Sequence, residues 1–273
     1  MSNSEPSSPA LLPKTGEGSN SHKVRVLILT AFHGRAHISE LYWLGIKRLR
    51  ENFNIQTLAV VSDPENLALA KQHSDHVLET VNEPHGRKMN LAMSEVVNLE
   101  FELLMQLGSD NLISNIGMMK NIDLFTRGNL FFGFNKILFY NYETAEAKQK
   151  FYGNVFGAGR CITRPILIKA LRKQQLWDDE RARGMDMNFE SSIDRSIGLG
   201  PLPVEFDVPQ VIDVKSKENI WAYDYFKEPA CSPEIMKDMV SKQEWKYLTE
   251  LPKAPLPSLP PTGEGGVAPK KKK

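Results

Sequence analysis

Leu103-Leu104-Met105-Gln106-Leu107-Gly108-Ser109-Asp110-Asn111-Leu112-Ile113-Ser114 is the stretch whose reading decides the fold of this chain. The apolar run 103–107 has the length and flanks of a buried strand. It stops at Gly108-Ser109-Asp110-Asn111, and a second apolar pair follows at once. Glycine lets the backbone turn sharply, so the pattern predicts a strand with an acid at its carboxyl end. That is the edge on which open α/β sheets bind ligands. Asp110 is placed there to hold a divalent cation and, through it, a diphosphate. Taken alone, the segment is more simply an Asx-type turn in which Asp110 bonds its own backbone. The surrounding chain has to decide.

Upstream, the same punctuation recurs. The β-branched run 24–29 reads as a buried parallel strand, broken by Thr30-Ala31-Phe32-His33-Gly34-Arg35. Ile38, Leu41, Tyr42, Gly45, Ile46 and Leu49 then share one helical face. Residues 55–61 form a second strand ending in Ser62-Asp63-Pro64, and a short helix over 65–72 leads to a third strand over 76–81. The polar loop Asn82-Glu83-Pro84-His85-Gly86-Arg87-Lys88-Met89-Asn90 opens a helix reaching about residue 98. Strands alternating with helices predict a parallel sheet.

Downstream of Asp110 the pattern changes. The aromatic runs 129–134 and 136–140 read as paired antiparallel strands, and the hydrophilic stretch 143–150 as an exposed turn. Gly157-Ala158-Gly159-Arg160 precedes a helix opened by Pro165. A further helix spans about 187–197 and a late strand 210–214. The fold class is α/β, a mixed, mostly parallel central sheet flanked by helices, with an antiparallel portion.

Composition narrows the class. The 273 residues are 41% hydrophobic and 25% charged, as in ordinary globular proteins. Lys and Arg (34) nearly balance Asp and Glu (33), so global charge gives no pull toward nucleic acid. Cys161 and Cys231 provide no disulfide framework and no CxxC pair, which fits a reducing compartment. Nothing reads as a signal peptide, and no run approaches the roughly 20 apolar residues of a membrane span. The expectation is a soluble cytoplasmic protein. Residues 1–22 and 252–273 are rich in Pro, Ser and Gly and are expected to be disordered, with Lys270–Lys273 as a solvated tail. The body is then 23–251, with a nucleotide half over about 23–115 and an acceptor half over about 116–251.

In a parallel sheet the strand ends lie on one edge. Thr30 and Arg35 follow the first strand, Asp63 the second, Gly86, Lys88 and Asn90 the third, and Asp110 the fourth. A nucleoside diphosphate calls for such a set: a polar acceptor for base or ribose, cations for the phosphates, and an acid for a hard metal. Mg²⁺ and Mn²⁺ use one or two carboxylates with water and substrate phosphates. The segments VRVLILTAFHGR, VVSDP, NEPHGRKMNLA and LLMQLGSDN, in that order, resemble the GT-A-fold glycosyltransferases. The closest resemblance is to the family-2-like group and its small stand-alone phage and bacterial members. FGAGRCITRP resembles that family's acceptor-side Gly-rich loop, and WDDERARGMD lies where an acidic base is often placed. The resemblance spans roughly residues 24–223.

The resemblance implies that Thr30 and Arg35 line the nucleotide pocket and that Asp63 contacts base or ribose. Gly86 belongs to the nucleotide-sugar-binding set, Lys88 and Asn90 lie near base and phosphate, and Asp110 binds Mn²⁺ or Mg²⁺. It implies a nucleotide-diphosphate sugar such as a UDP-sugar as donor. The acceptor is a hydroxyl on a carbohydrate, a protein or a hydroxymethylated DNA base, with Gly159, Arg160 and Trp177 on the acceptor side. An inverting transferase needs a carboxylate to take the acceptor proton; Asp186 and Asp179 are the candidates, with Asp178 beside them. Asp186 is equally placed to cap a helix. The family's second metal-binding acid is missing, since Asp110 stands between Ser109 and Asn111.

The same residues bear on other classes. A sugar-phosphate nucleotidyltransferase calls for a Gly-rich first loop, and TAFHGR has one glycine. A non-catalytic nucleotide- or glycan-binding module fits the single acid. No GxGxxG follows any strand, which disfavours a dinucleotide-binding dehydrogenase. His33 and His37 have zinc-ligand spacing but no third ligand nearby. Trp177, Trp221 and Tyr223 are placed either to stack on a sugar or to pack the core.

Overall fold

A computed structural model describes residues 24–219 and 223–250. The expectations for 1–22, for 252–273 with its lysine run, and for Trp221 lie outside the described residues. The first half alternates as its punctuation predicts: β1 (Val26–Phe32), α1 (Ala36–Arg50), β2 (Ile55–Val61), α2 (Pro64–His73), β3 (His76–Glu79), α3 (His85–Val96) and β4 (Leu103–Gln106). Then follow β5 (Asn111–Ile113), α4 (Asn115–Thr126), β6 (Phe131–Phe134), β7 (Lys136–Asn141), β8 (Ala147–Phe151) and β9 (Arg160–Thr163). The rest comprises α5 (Arg164–Leu171), α6 (Met185–Ile197), β10 (Leu202–Val204), β11 (Val211–Lys215), β12 (Ala230–Cys231) and α7 (Lys242–Thr249).

Seven strands form one sheet in the order β10-β6-β9-β4-β1-β2-β3. Only β9 runs antiparallel to its neighbours, β4 and β6. Successive residues of β1 point to opposite faces, as a strand's pleat requires. Val26 and Ile28 join α1 and α4 in one core, while Leu27 and Leu29 join α3, α5 and α6 in the other. Helices thus cover both faces, which explains the near-continuous apolar strands. The mixed, mostly parallel sheet with an antiparallel portion is the fold class read from the sequence.

A second sheet, β12-β8-β7-β11-β5, packs its apolar face on Ile38 and Leu41 of α1 and Leu248 of α7. The segment 103–113 belongs to both sheets: β4 lies in the first and β5 at the edge of the second. Gly108 matters here for close approach, not for left-handed backbone. A Cβ would press on the Asn111 and Asp110 side chains, and Asn111 Oδ1 accepts the Gly108 N–H at 2.8 Å. Asn111 thus closes the turn from one residue after the acid, while Asp110 also bonds its own backbone.

Two local expectations are corrected. Residues 129–134 and 136–140 do not pair; β6 belongs to the first sheet and β7 to the second. Only Asn135 separates them, too short for the two-residue hairpin loop, so the chain bends there and changes sheet. The stretch 143–150 is a turn followed by β8, not a turn throughout. Its Tyr140–Ala147 to Lys136–Phe151 register pairs it with β7, and Ala147 is fully buried. Among the described residues no helix is long and apolar enough to cross a membrane.

Candidate nucleotide-diphosphate site

Arg35, Asp63 and Asp110 follow the carboxyl ends of β1, β2 and β4, and Lys88 of α3 reaches the same edge through Phe32 and Ser62. Arg35 precedes α1 in the left-handed region, φ 54° and ψ 42°, a conformation that costs a non-glycine residue roughly 1–2 kcal/mol. Its Nη1 donates to Asp110 Oδ2 at 2.9 Å, with both side chains 17% exposed. Asn219 Nδ2 donates to the same oxygen at 2.6 Å. Burial works against the Asp110 charge, but the positive charges of Arg35 and Lys215 hold its carboxyl below the usual range.

A second acid stands beside Asp110 in space. The β11–β5 register sets Asp213 opposite Asn111, and Val214 N–H donates to the Asp110 carbonyl at 2.8 Å. Asp213 Oδ2 pairs with Lys215 Nζ at 2.8 Å. Burial raises the Asp213 carboxyl to about 6; Lys215 opposes that rise and Asp110 adds to it. Asp213 Oδ1 is buried without a hydrogen bond among the described residues. The acid that the sequence lacks next to Asp110 is thus supplied by another strand. Its signal is an Asp inside the apolar run Val211-Ile212-Asp213-Val214.

Asp63 caps α2. Its Oδ1 accepts Asn66 N–H at 2.9 Å and its Oδ2 accepts Gly34 N–H at 3.0 Å. Burial pushes its pKa up, and these hydrogen bonds, with His33 nearby, bring it below the ordinary value. Asp63 therefore ties the β1–α1 loop to α2. Lys88 is buried, with Nζ donating to Phe32 O at 2.9 Å and to Ser62 Oγ at 2.6 Å. Burial lowers it to about 8, against the pull of Asp63 and Glu83. Thr30 points into the interior, where its hydroxyl meets Tyr42 Oη at 2.7 Å, and so does not line an open pocket.

Gly86 and Asn90 serve a different contact. A Cβ on Gly86 would run into the Asp178 carbonyl, and Gly86 N–H donates to Arg181 O at 2.8 Å. Asn90 Nδ2 donates to Trp177 O and Asp179 Oδ1, both at 2.8 Å. These residues clamp the 177–181 loop onto α3. Asn90 and Asp179 line a groove of about 420 Å³ with Arg87, Leu91 and Gln174. None of these residues bonds to Arg35 or Asp110. Trp177 is buried against Phe189, ring centroids 4.9 Å apart, and Tyr223 is buried too.

Asp186 lies in the first turn of α6 behind Gly184, whose left-handed backbone occupies the cap position. It is not the cap. Its side chain is 61% exposed, with Oδ1 3.6 Å from Arg160 Nη2. Gly157 leaves the space that Asp186 occupies, since a Cβ there would overlap the carboxylate. Arg160 is buried: Nε donates to Gln106 Oε1 at 3.0 Å and Nη1 to Glu190 Oε1 at 2.8 Å. Gly159, at φ 78°, lets its N–H reach Gln106 O at 2.7 Å. Burial raises the Glu190 carboxyl, with Arg160 opposing and Asp186 adding. Glu190, four residues after Asp186 on the same helical face, is a residue that sequence reasoning missed. Tyr152 is raised to about 12 by burial first, with Asp213 and Asp186 both contributing; it therefore stands within the field of both acids.

No family model matches the chain, and no curated protein matches it. Among solved structures, residues 1–349 of TarS from S. aureus are similar at a TM-score of 0.46 and 10% identity. The match covers 70% of this chain and 60% of that one, so the chain spans about three fifths of the length of the TarS structure. A197 from STIV is similar at a TM-score of 0.36 and 14% identity, over 63% of this chain and 78% of that one. The site is read from its own geometry.

Proposed function

We propose that the chain is a glycosyltransferase of the GT-A type, moving a sugar from a nucleotide-diphosphate donor to an acceptor hydroxyl. The observation that carries the reading is the Arg35–Asp110 pair at the carboxyl end of β4, with Asp213 and Lys215 beside it. An exposed acid, Asp186, stands across the same edge on Arg160. The diphosphate of the donor lies against Arg35, and the base end lies toward His33, Asp63 and Lys88. The acceptor oxygen attacks the anomeric carbon and passes its proton to Asp186. The bond from that carbon to the diphosphate oxygen breaks, and its electron pair leaves with the nucleoside diphosphate. Gln106 and Glu190 hold Arg160, which positions Asp186. Asp179, bonded to Asn90, is not the base in this reading.

Positioned general bases contribute roughly 10²–10⁴-fold to rate. Asp186→Asn is expected to lower turnover by about that factor while leaving donor affinity within a few-fold of native. A panel of nucleotide sugars with simple glycosides as acceptors, read by nucleoside diphosphate release, finds the donor. A native chain that neither binds nor turns over any nucleotide sugar overturns the reading. Donor binding without turnover moves it to a non-catalytic nucleotide-binding module.

A further inference from the structure

Asp110 carries the expectation of a divalent cation, and its surroundings do not fit one. Its Oδ2 already accepts from Arg35 Nη1 at 2.9 Å and from Asn219 Nδ2 at 2.6 Å. A neighbouring acid, Asp213, is paired with Lys215 at 2.8 Å, and Glu218 also acts on the Arg35 charge. Asp110 and Asp213 are each engaged by a cation, so a divalent ion there would have to displace Arg35 or Lys215. Among the described residues no three His, Cys, Asp or Glu side chains come together as a metal-binding group.

The same geometry does suit an anion. Arg35 is held through one nitrogen, and its Nε and Nη2 make no hydrogen bond to any described residue. That edge of a guanidinium is the two-donor fork that matches a pair of phosphate oxygens. Three constraints aim it: the Asp110 carboxylate, the left-handed backbone of Arg35, and the acceptance of Ile38 and Ser39 N–H by the Arg35 carbonyl at 2.8 and 3.1 Å. Backbone held in a sparsely populated region by its surroundings is characteristic of ligand clamps.

We propose that Arg35 is the diphosphate-binding cation of this chain, standing where a divalent ion was expected, and that Asp110 is its positioning residue. Diphosphate binding here requires no metal. The proposal rests on the transferase reading above and deepens it by assigning the group that neutralises the leaving diphosphate.

The test is calorimetric titration of the full chain with UDP, GDP, CDP and ADP, each in EDTA and then with Mn²⁺. A parallel titration follows free Mn²⁺ by its electron paramagnetic resonance signal without nucleotide. At least one diphosphate is expected to bind equally well, within about twofold, in both buffers. Arg35→Ala should weaken it by roughly tenfold or more, and Arg35→Lys, which keeps the charge and loses the fork, by several-fold. The native chain should leave the Mn²⁺ signal free. Binding that appears only with Mn²⁺, or affinity unchanged in both Arg35 variants, overturns this proposal and leaves the transferase reading standing. A chain that binds no diphosphate in either buffer overturns both. Arg35→Lys and the native comparison keep the test decisive if Arg35→Ala does not fold.

Discussion

Single atoms decide several roles at this sheet edge, and glycines show it most directly. Gly86 faces a backbone carbonyl that cannot move aside, whereas Gly157 faces the far end of an exposed carboxylate. Gly86→Ala is therefore expected to destabilise the fold by about 1–3 kcal/mol, measured by urea unfolding. Gly157→Ala should leave stability nearly unchanged and displace Asp186, lowering turnover more than donor affinity. Lys88 makes a prediction of a different kind. Unfolded, it holds its proton to about 10.5; folded, it releases it near 8. Between those values unfolding takes up a proton, so the fold gains stability as pH rises through that window. Thermal melts of the native chain against Lys88→Met, run from pH 7 to 10.5, should show the native chain gaining on the variant above about pH 8. Arg35, Asp63 and Asp110 do follow β1, β2 and β4 as the turn residues between the apolar runs indicate. The inward turn of Thr30 was not legible, because residue type does not say which way a strand end faces, and the Asn90 clamp was not, because its partners lie 87 and 89 positions away in sequence.

At the scale of elements, periodicity served where each element buries one face. The run β1 to β4 was legible because apolar strands and amphipathic helices alternate with turn residues between them. The failures came where pairing is set over long sequence distances. Nothing local in Phe131–Phe134 and Lys136–Asn141 says that they part to different sheets, and nothing near Asp110 announces Asp213. The last helix was also invisible as a structural partner of the first. Glu244 of α7 is completely buried and receives Arg48 Nε at 2.8 Å, while Arg48 also reaches Asn115 and the Ile113 carbonyl. Removing one member leaves a buried charge unpaired, a loss of roughly 3–5 kcal/mol. Glu244→Ala is expected to lower stability by about that amount in urea unfolding. Replacing both members with apolar residues should recover part of the loss.

Across the whole molecule, one strand connection carries the site. The chain leaves the seven-stranded sheet after Gln106 and enters the five-stranded sheet at Asn111, with Asp110 at the crossing. Arg35 reaches Asp110 from the turn before α1, while Asp213 and Lys215 arrive on β11 of the second sheet and Asn219 from the turn after it. Asn219 lies 109 positions away in sequence from the carboxylate it binds. The site is therefore closed by contacts between parts of the chain far apart in sequence. A diphosphate held there spans the seam between two sheets. Its binding energy therefore adds to the cohesion of those sheets with each other, not to either one alone.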